Sequence, residues 1–231
     1  MKNHLLKAVL LFSMSMTVFF TSCEVEDSSD VNQDKIYADY ELFYNSNTDK
    51  TWVVARFRFG GPTGTNLELT NPAFVSFNGD QLPFNALFTG HFKEYAGRIT
   101  SGTFSYTNVD GQEFKNSIPP SESLEFPAAL DTLTKSQAFT LNWEGTPLAE
   151  DQIVGLFAGS WAWGQDALFV QSNLGATNLV LGTNQLDNLP NGNTTLYMDR
   201  ATEKDLTEGT GEGGKIRAKY RAKNKVVWVR D

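Results

Sequence analysis

The chain has 231 residues, 19 Lys and Arg against 27 Asp and Glu, a formal charge of −8, one cysteine and two histidines. Such acidity excludes nucleic acid as a general partner, because a polyphosphate needs a cationic surface. One cysteine excludes an intrachain disulfide, and so few Cys and His exclude zinc sites and Cys–His dyads as well.

In chain order, Lys2 and Lys7 flank the start of an apolar run from Ala8 to Phe20, and small polar Thr21 and Ser22 lead into Cys23. That is the basic, apolar and small-residue layout of a secretory signal. The run is shorter than the ~20 residues that cross a bilayer as a helix. Phe20-Thr21-Ser22-Cys23 resembles the lipobox of bacterial lipoproteins, with Phe20 where that family usually has Leu. The resemblance implies that signal peptidase II removes residues 1–22 and that Cys23 is the lipidation site, holding the mature chain to membrane lipid. Stable anchoring takes two acyl chains, which a diacylglyceryl group supplies. Glu24, Glu26, Asp27 and Asp30 predict a disordered acidic tether over residues 23–33. This acidic stretch also resembles the export signal that carries lipoproteins to the outer face of the outer membrane in one group of Gram-negative bacteria. It implies a protein facing the cell exterior, with the periplasmic face as the alternative. Without residues 1–22, which hold Lys2, Lys7 and His4 but no acid, the charge falls from −8 to −10 and His91 is the remaining histidine.

From Ile36 the pattern has period two: Ile36, Ala38, Tyr40, Leu42 and Tyr44 share one face, and Val53, Ala55, Phe57 and Phe59 repeat it after the turn residues 45–50. Both read as strands with one buried side, the second antiparallel to the first. Asn78-Gly79 predicts a type I′ hairpin turn, since both residues tolerate positive φ. Residues 102–107 and 112–118 predict a further hairpin around Asn108-Val109-Asp110-Gly111. Pro119 and Pro120 cannot continue a sheet, because proline has no N–H for the ladder. The second half begins at Leu124, with one helical turn expected near Leu130–Leu133 and a short helix or loop at Asn184–Leu189. Long helical periodicity is lacking.

Phe139-Thr140-Leu141-Asn142-Trp143-Glu144-Gly145 and Lys215–Asn224 resemble the B and F strands of fibronectin type III domains, with Ile216 where that family commonly has tyrosine. The predicted fold class is therefore all-β: two immunoglobulin-like β-sandwich domains in series. They are expected at residues 34–119 and 124–231, joined by a linker at 120–123.

Two constellations are candidates for ligand binding. Lys215, Arg217, Lys219 and Arg221 alternate with Ile216, Ala218 and Tyr220, so an extended strand aligns the cations on one face, with Val226–Arg230 expected as its hairpin partner. Such a row is either a solvated face paired with acids from the stretch Asp199–Glu212 or a site for an anionic partner. Trp161 and Trp163 share a face and offer flat apolar platforms for sugar rings. Phe157 has the same parity, which makes core packing of all three the competing reading.

The Gly-rich residues 208–214 lack the lysine-hydroxyl ending of a phosphate loop, and their acids repel phosphate. No Gly-x-Ser-x-Gly elbow accompanies His91, which is expected in a loop or at a strand edge. No cofactor, metal or catalytic group is assigned, and the chain is not expected to be an enzyme. The function expected is a surface lipoprotein that binds a polysaccharide, matrix or protein ligand. The alternatives are an accessory subunit of an outer-membrane assembly and a carboxylate-dependent glycoside hydrolase, whose Asp/Glu pair spacing alone does not reveal.

Overall fold

A computed structural model describes residues 25–160 and 164–231. Val25–Asp27 (β1) is followed by 3-10 turns at Ser28–Asp30 and Gln33–Lys35. Ile36–Asn45 (β2) buries Ile36, Ala38, Tyr40 and Leu42 and returns antiparallel as Lys50–Phe59 (β3). The rest of the first half is Thr65–Glu68 (β4), Phe74–Phe77 (β5), Asp80–Gln81 (β6), Phe84–Asn85 (β7), Gly90–Ala96 (β8), Thr103–Thr107 (β9) and Glu113–Ser117 (β10). Asn78 and Gly79 join β5 to β6 with φ of 51° and 84°, the left-handed pair that a type I′ turn needs.

The second half holds Leu124–Glu125 (β11), Thr132–Thr134 (β12), Phe139–Asn142 (β13), Glu144–Gly145 (β14), Gln152–Gly159 (β15), Asp166–Gln171 (β16) and Asn178–Leu181 (β17). One helical turn, Thr183–Leu186 (α1), precedes Gly192–Asp205 (β18), Gly214–Arg221 (β19) and Lys225–Arg230 (β20). The chain is all-β, with two hydrophobic cores packed against one sheet. The first core packs rings, among them Tyr40, Phe57, Phe77, Phe104 and Tyr106, with Tyr40 stacked on Phe104 at 4.6 Å between centroids. The second is mostly aliphatic, built on residues such as Leu141, Leu156, Leu181, Leu196 and Val229, with Trp143 and Tyr220 among them.

A single sheet runs through both halves in the order β1-β4-β3-β2-β19-β18-β15-β16. Its seam is the parallel pairing of β2 with β19, from Ala38 opposite Gly214 to Asn45 opposite Arg221. On β19, Ile216 enters the first core while Tyr220 enters the second, so one strand is shared by both.

Three expectations are corrected. Residues 25–33, predicted to belong to a disordered tether, are packed: β1 pairs in parallel with β4, and Ser28 is buried. Thr70 N–H donates to Ser28 Oγ at 3.1 Å and Gln33 Nε2 donates to Ser28 O at 2.7 Å. Backbone ladder bonds and the hydroxyls of Ser28 and Ser29, both bonded to Thr70, hold this segment, and composition registers neither. Leu130–Leu133 is not helical, because Thr132–Thr134 forms β12 beside β20 and buries Leu133. Finally, β20 is not the hairpin partner of β19. Both pair with β18, β19 with its C-terminal part and β20 with Gly192–Leu196. The register shifts by one residue between them, and Ala222 N–H still donates to Met198 O at 2.9 Å. Residues 222–224 therefore form a bulge in one long strand rather than a reversing turn.

Candidate functional site

That bulge decides which side chains face outward. On β19 the odd positions Lys215, Arg217, Lys219 and Arg221 are out, whereas on β20 the even positions Val226, Trp228 and Arg230 are, so the cation row stops at Arg221.

Acids flank the row on both sides. From β18, Asp199 accepts two bonds from Arg221 at 2.7 and 2.8 Å and meets Lys219 at 2.9 Å. Glu203 lies 2.7 Å from Arg217, and Asp205 lies 2.7 Å from Lys215. From β2 across the seam, Glu41 and Asp39 approach Arg217 at 3.4 and 3.6 Å. Four cations thus meet five carboxylates, and the row carries no positive surplus. Burial alone pushes the Asp199 carboxyl up, but the bonds and charges of Arg221 and Lys219 outweigh it and hold it below the usual carboxylate range. Partial burial pulls Arg217 down, and Glu203, Asp39 and Glu41 together raise it above its ordinary value.

Beside these ion pairs the sheet opens into a cleft of about 450 Å³. Its polar wall includes Glu41, Asp199, Arg217, Lys219 and Arg221, and its apolar wall Ile153, Phe157, Leu168 and Tyr197. Gly155 lies between them, opposite Asp199 on β18 and Val170 on β16, and a Cβ added there meets nothing within 4 Å. A glycine at the centre of a strand leaves a hollow that any larger residue fills. The apolar wall exists because β15 is apolar on both faces: Val154, Leu156 and Ala158 enter the core while Ile153 and Phe157 face out. Leu168 and Val170 on β16 are 56% and 55% exposed on the same side, and Tyr197 packs 6.1 Å from Phe157. Phe157 therefore lines the cleft and is not core, contrary to the reading from its parity.

Cys23, Trp161 and Trp163 lie outside the described residues; the two tryptophans fall in the connection from β15 to β16. His91, expected in a loop or at an edge, is buried on β8. Leu69 N–H donates to its Nε2 at 3.2 Å, so Nδ1 carries the proton given to Leu82 O at 3.0 Å. Burial lowers its pKa. Both nitrogens are used structurally. Among the described residues, no group of three His, Cys, Asp or Glu is placed to hold a metal ion.

The fold and site define an all-β chain with two sandwiches on a shared sheet and an open cleft on its outer face. No family model matches the sequence, and no curated protein matches it. Among solved structures, the crystal structure of the two tandem V-type regions of VCBP3 (v-region-containing chitin binding protein) is similar at a TM-score of 0.23 and 9% identity, over 80% of this chain and 98% of that one. A likeness of that size carries no argument about fold or ligand.

Proposed function

We propose that the protein is a lipid-anchored outer-membrane lipoprotein, facing the cell exterior, that binds a polysaccharide and does not transform it. The cleft carries this reading. Ile153, Leu168 and Tyr197 offer apolar contact to the less polar side of a sugar, while the ion-paired wall offers donors and acceptors for its hydroxyls. Open concave sites with few, fixed polar groups suit recognition. A glycosidase acid needs a raised pKa, whereas Asp199, on the polar wall of the cleft, is held down.

Anchoring rests on Phe20-Thr21-Ser22-Cys23. No helix among the described residues is long and apolar enough to cross a membrane. In cells fed a labelled fatty acid, the wild type takes up label and Cys23→Ser does not, because serine lacks the thiol that forms the thioether. Equal labelling of both would remove the anchor from the account. Retention of the mature chain on insoluble polysaccharide tests the binding. Retention by an outer-membrane protein assembly with none by polysaccharide would favour the accessory-subunit alternative.

A further inference from the structure

We infer that the chain bound in this cleft is an uncharged polysaccharide, an inference that rests on the binding reading above. The cations that would attract an anion are already paired. Arg221 and Lys219 share Asp199, and Arg217 lies among Glu203, Glu41 and Asp39. An acidic chain must therefore displace the carboxylates of Asp199 and Glu203, held at 2.7 to 2.9 Å from Arg221, Lys219 and Arg217, and it approaches a protein whose formal charge is already −8. Neither step brings a net gain in attraction. Removing one partner of a half-buried pair also leaves a charge without its counter-charge, which costs more than an exposed pair returns.

An uncharged polyol meets the opposite situation. An ionised carboxylate accepts at about four lone-pair positions and a lysine ammonium has three N–H donors. Asp199 takes three donors from Arg221 and Lys219, leaving about one position for a hydroxyl. Lys219 keeps N–H bonds beyond the one given to Asp199, and the Arg221 Nη1 group lies outside its two bonds to that carboxylate. The wall can thus donate to and accept from sugar hydroxyls while its ion pairs stay intact. They also fix the direction of each donor, so little side-chain entropy is lost on binding. Across the cleft, Ile153, Phe157, Leu168 and Tyr197 contribute apolar contact without ionic selection.

The test is titration of the full mature chain, in detergent micelles, with neutral polysaccharides (soluble β-glucan, α-mannan and arabinan) and with polygalacturonate, at low and physiological salt. The expected result is binding to at least one neutral chain whose affinity changes less than about twofold with salt, since unscreened attraction plays no part. Leu168→Ala, a change at an exposed position that leaves the fold intact, should weaken that binding about threefold to tenfold through lost apolar contact. Binding to polygalacturonate that falls steeply with salt would overturn the uncharged ligand and leave the binding reading standing. Binding to none of the four would overturn both. Neutral binding that Leu168→Ala does not affect would remove it from this cleft.

Discussion

The outer face of the shared sheet is finished in two different ways. In the first half, apolar side chains cover one another: Phe88, from the β7–β8 connection, stacks on Phe92 at 4.1 Å, and Trp52 meets Phe43, Phe88 and Phe92 edge-on. Trp52 Nε1 donates to Glu94 at 2.9 Å, and Arg56 Nε donates to Phe88 O at 3.3 Å, fastening the connection over the rings. In the second half Ile153, Leu168 and Val170 face outward at 40%, 56% and 55% exposure beside an open hollow. The same alternation produces both faces, and a returning loop separates a closed surface from an open one. Between them lies the ion-paired row on β18, β19 and β2, which prevents the apolar areas from merging into the kind of broad patch that drives association.

Substitutions should separate the two faces by energy. Trp52→Ala removes the ring at the centre of the closed cluster and should destabilise by about 2 to 4 kcal/mol, near the range for a large aromatic. Leu168→Ser on the open face should change stability by only about 0.5 kcal/mol, as exposed positions do. Urea unfolding measures both, and equal losses would erase the distinction. Less energetic but sharper is the test at His91, under the closed face and bonded through both ring nitrogens. Burial lowers its folded pKa below the unfolded value, about 6.5, so the unfolded chain takes the proton first. This group's share of stability is therefore present above about pH 6.5 and declines as pH falls from there through the folded pKa. NMR titration of the imidazole should give a pKa under 6.5, and an ordinary or raised value would contradict the buried, neutral ring.

Much of the first core was legible in the sequence, because period two at Ile36–Tyr44 and Val53–Phe59 and the Asn78-Gly79 turn are local signals. The seam was not. Periodicity says that β2 and β19 are strands but not that Ala38 lies opposite Gly214, so Asp39 and Glu41 were missed as partners of the cation row, while Asp199, Glu203 and Asp205 were visible as an acidic stretch. The tether was misread for a related reason: pairing of β1 with β4 depends on backbone bonds to a segment forty residues away, and acidic composition masks it. The cleft had one available signal. Residues 153–158 are apolar on both parities with a single interruption, Gly155, and a strand apolar on both faces leaves one of them uncovered where only the other packs on a core.

That interruption supplies the most direct test of the claim that the hollow beside Asp199 is where the ligand sits. Gly155→Phe places a ring in the cleft at a position with open space for a side chain and no left-handed φ, so the fold should hold. Titrated with the neutral polysaccharide that the wild type binds, the variant should lose affinity by at least about tenfold, or ~1.4 kcal/mol, with an unchanged circular dichroism spectrum and urea midpoint. Undiminished binding by a folded Gly155→Phe protein would contradict the account.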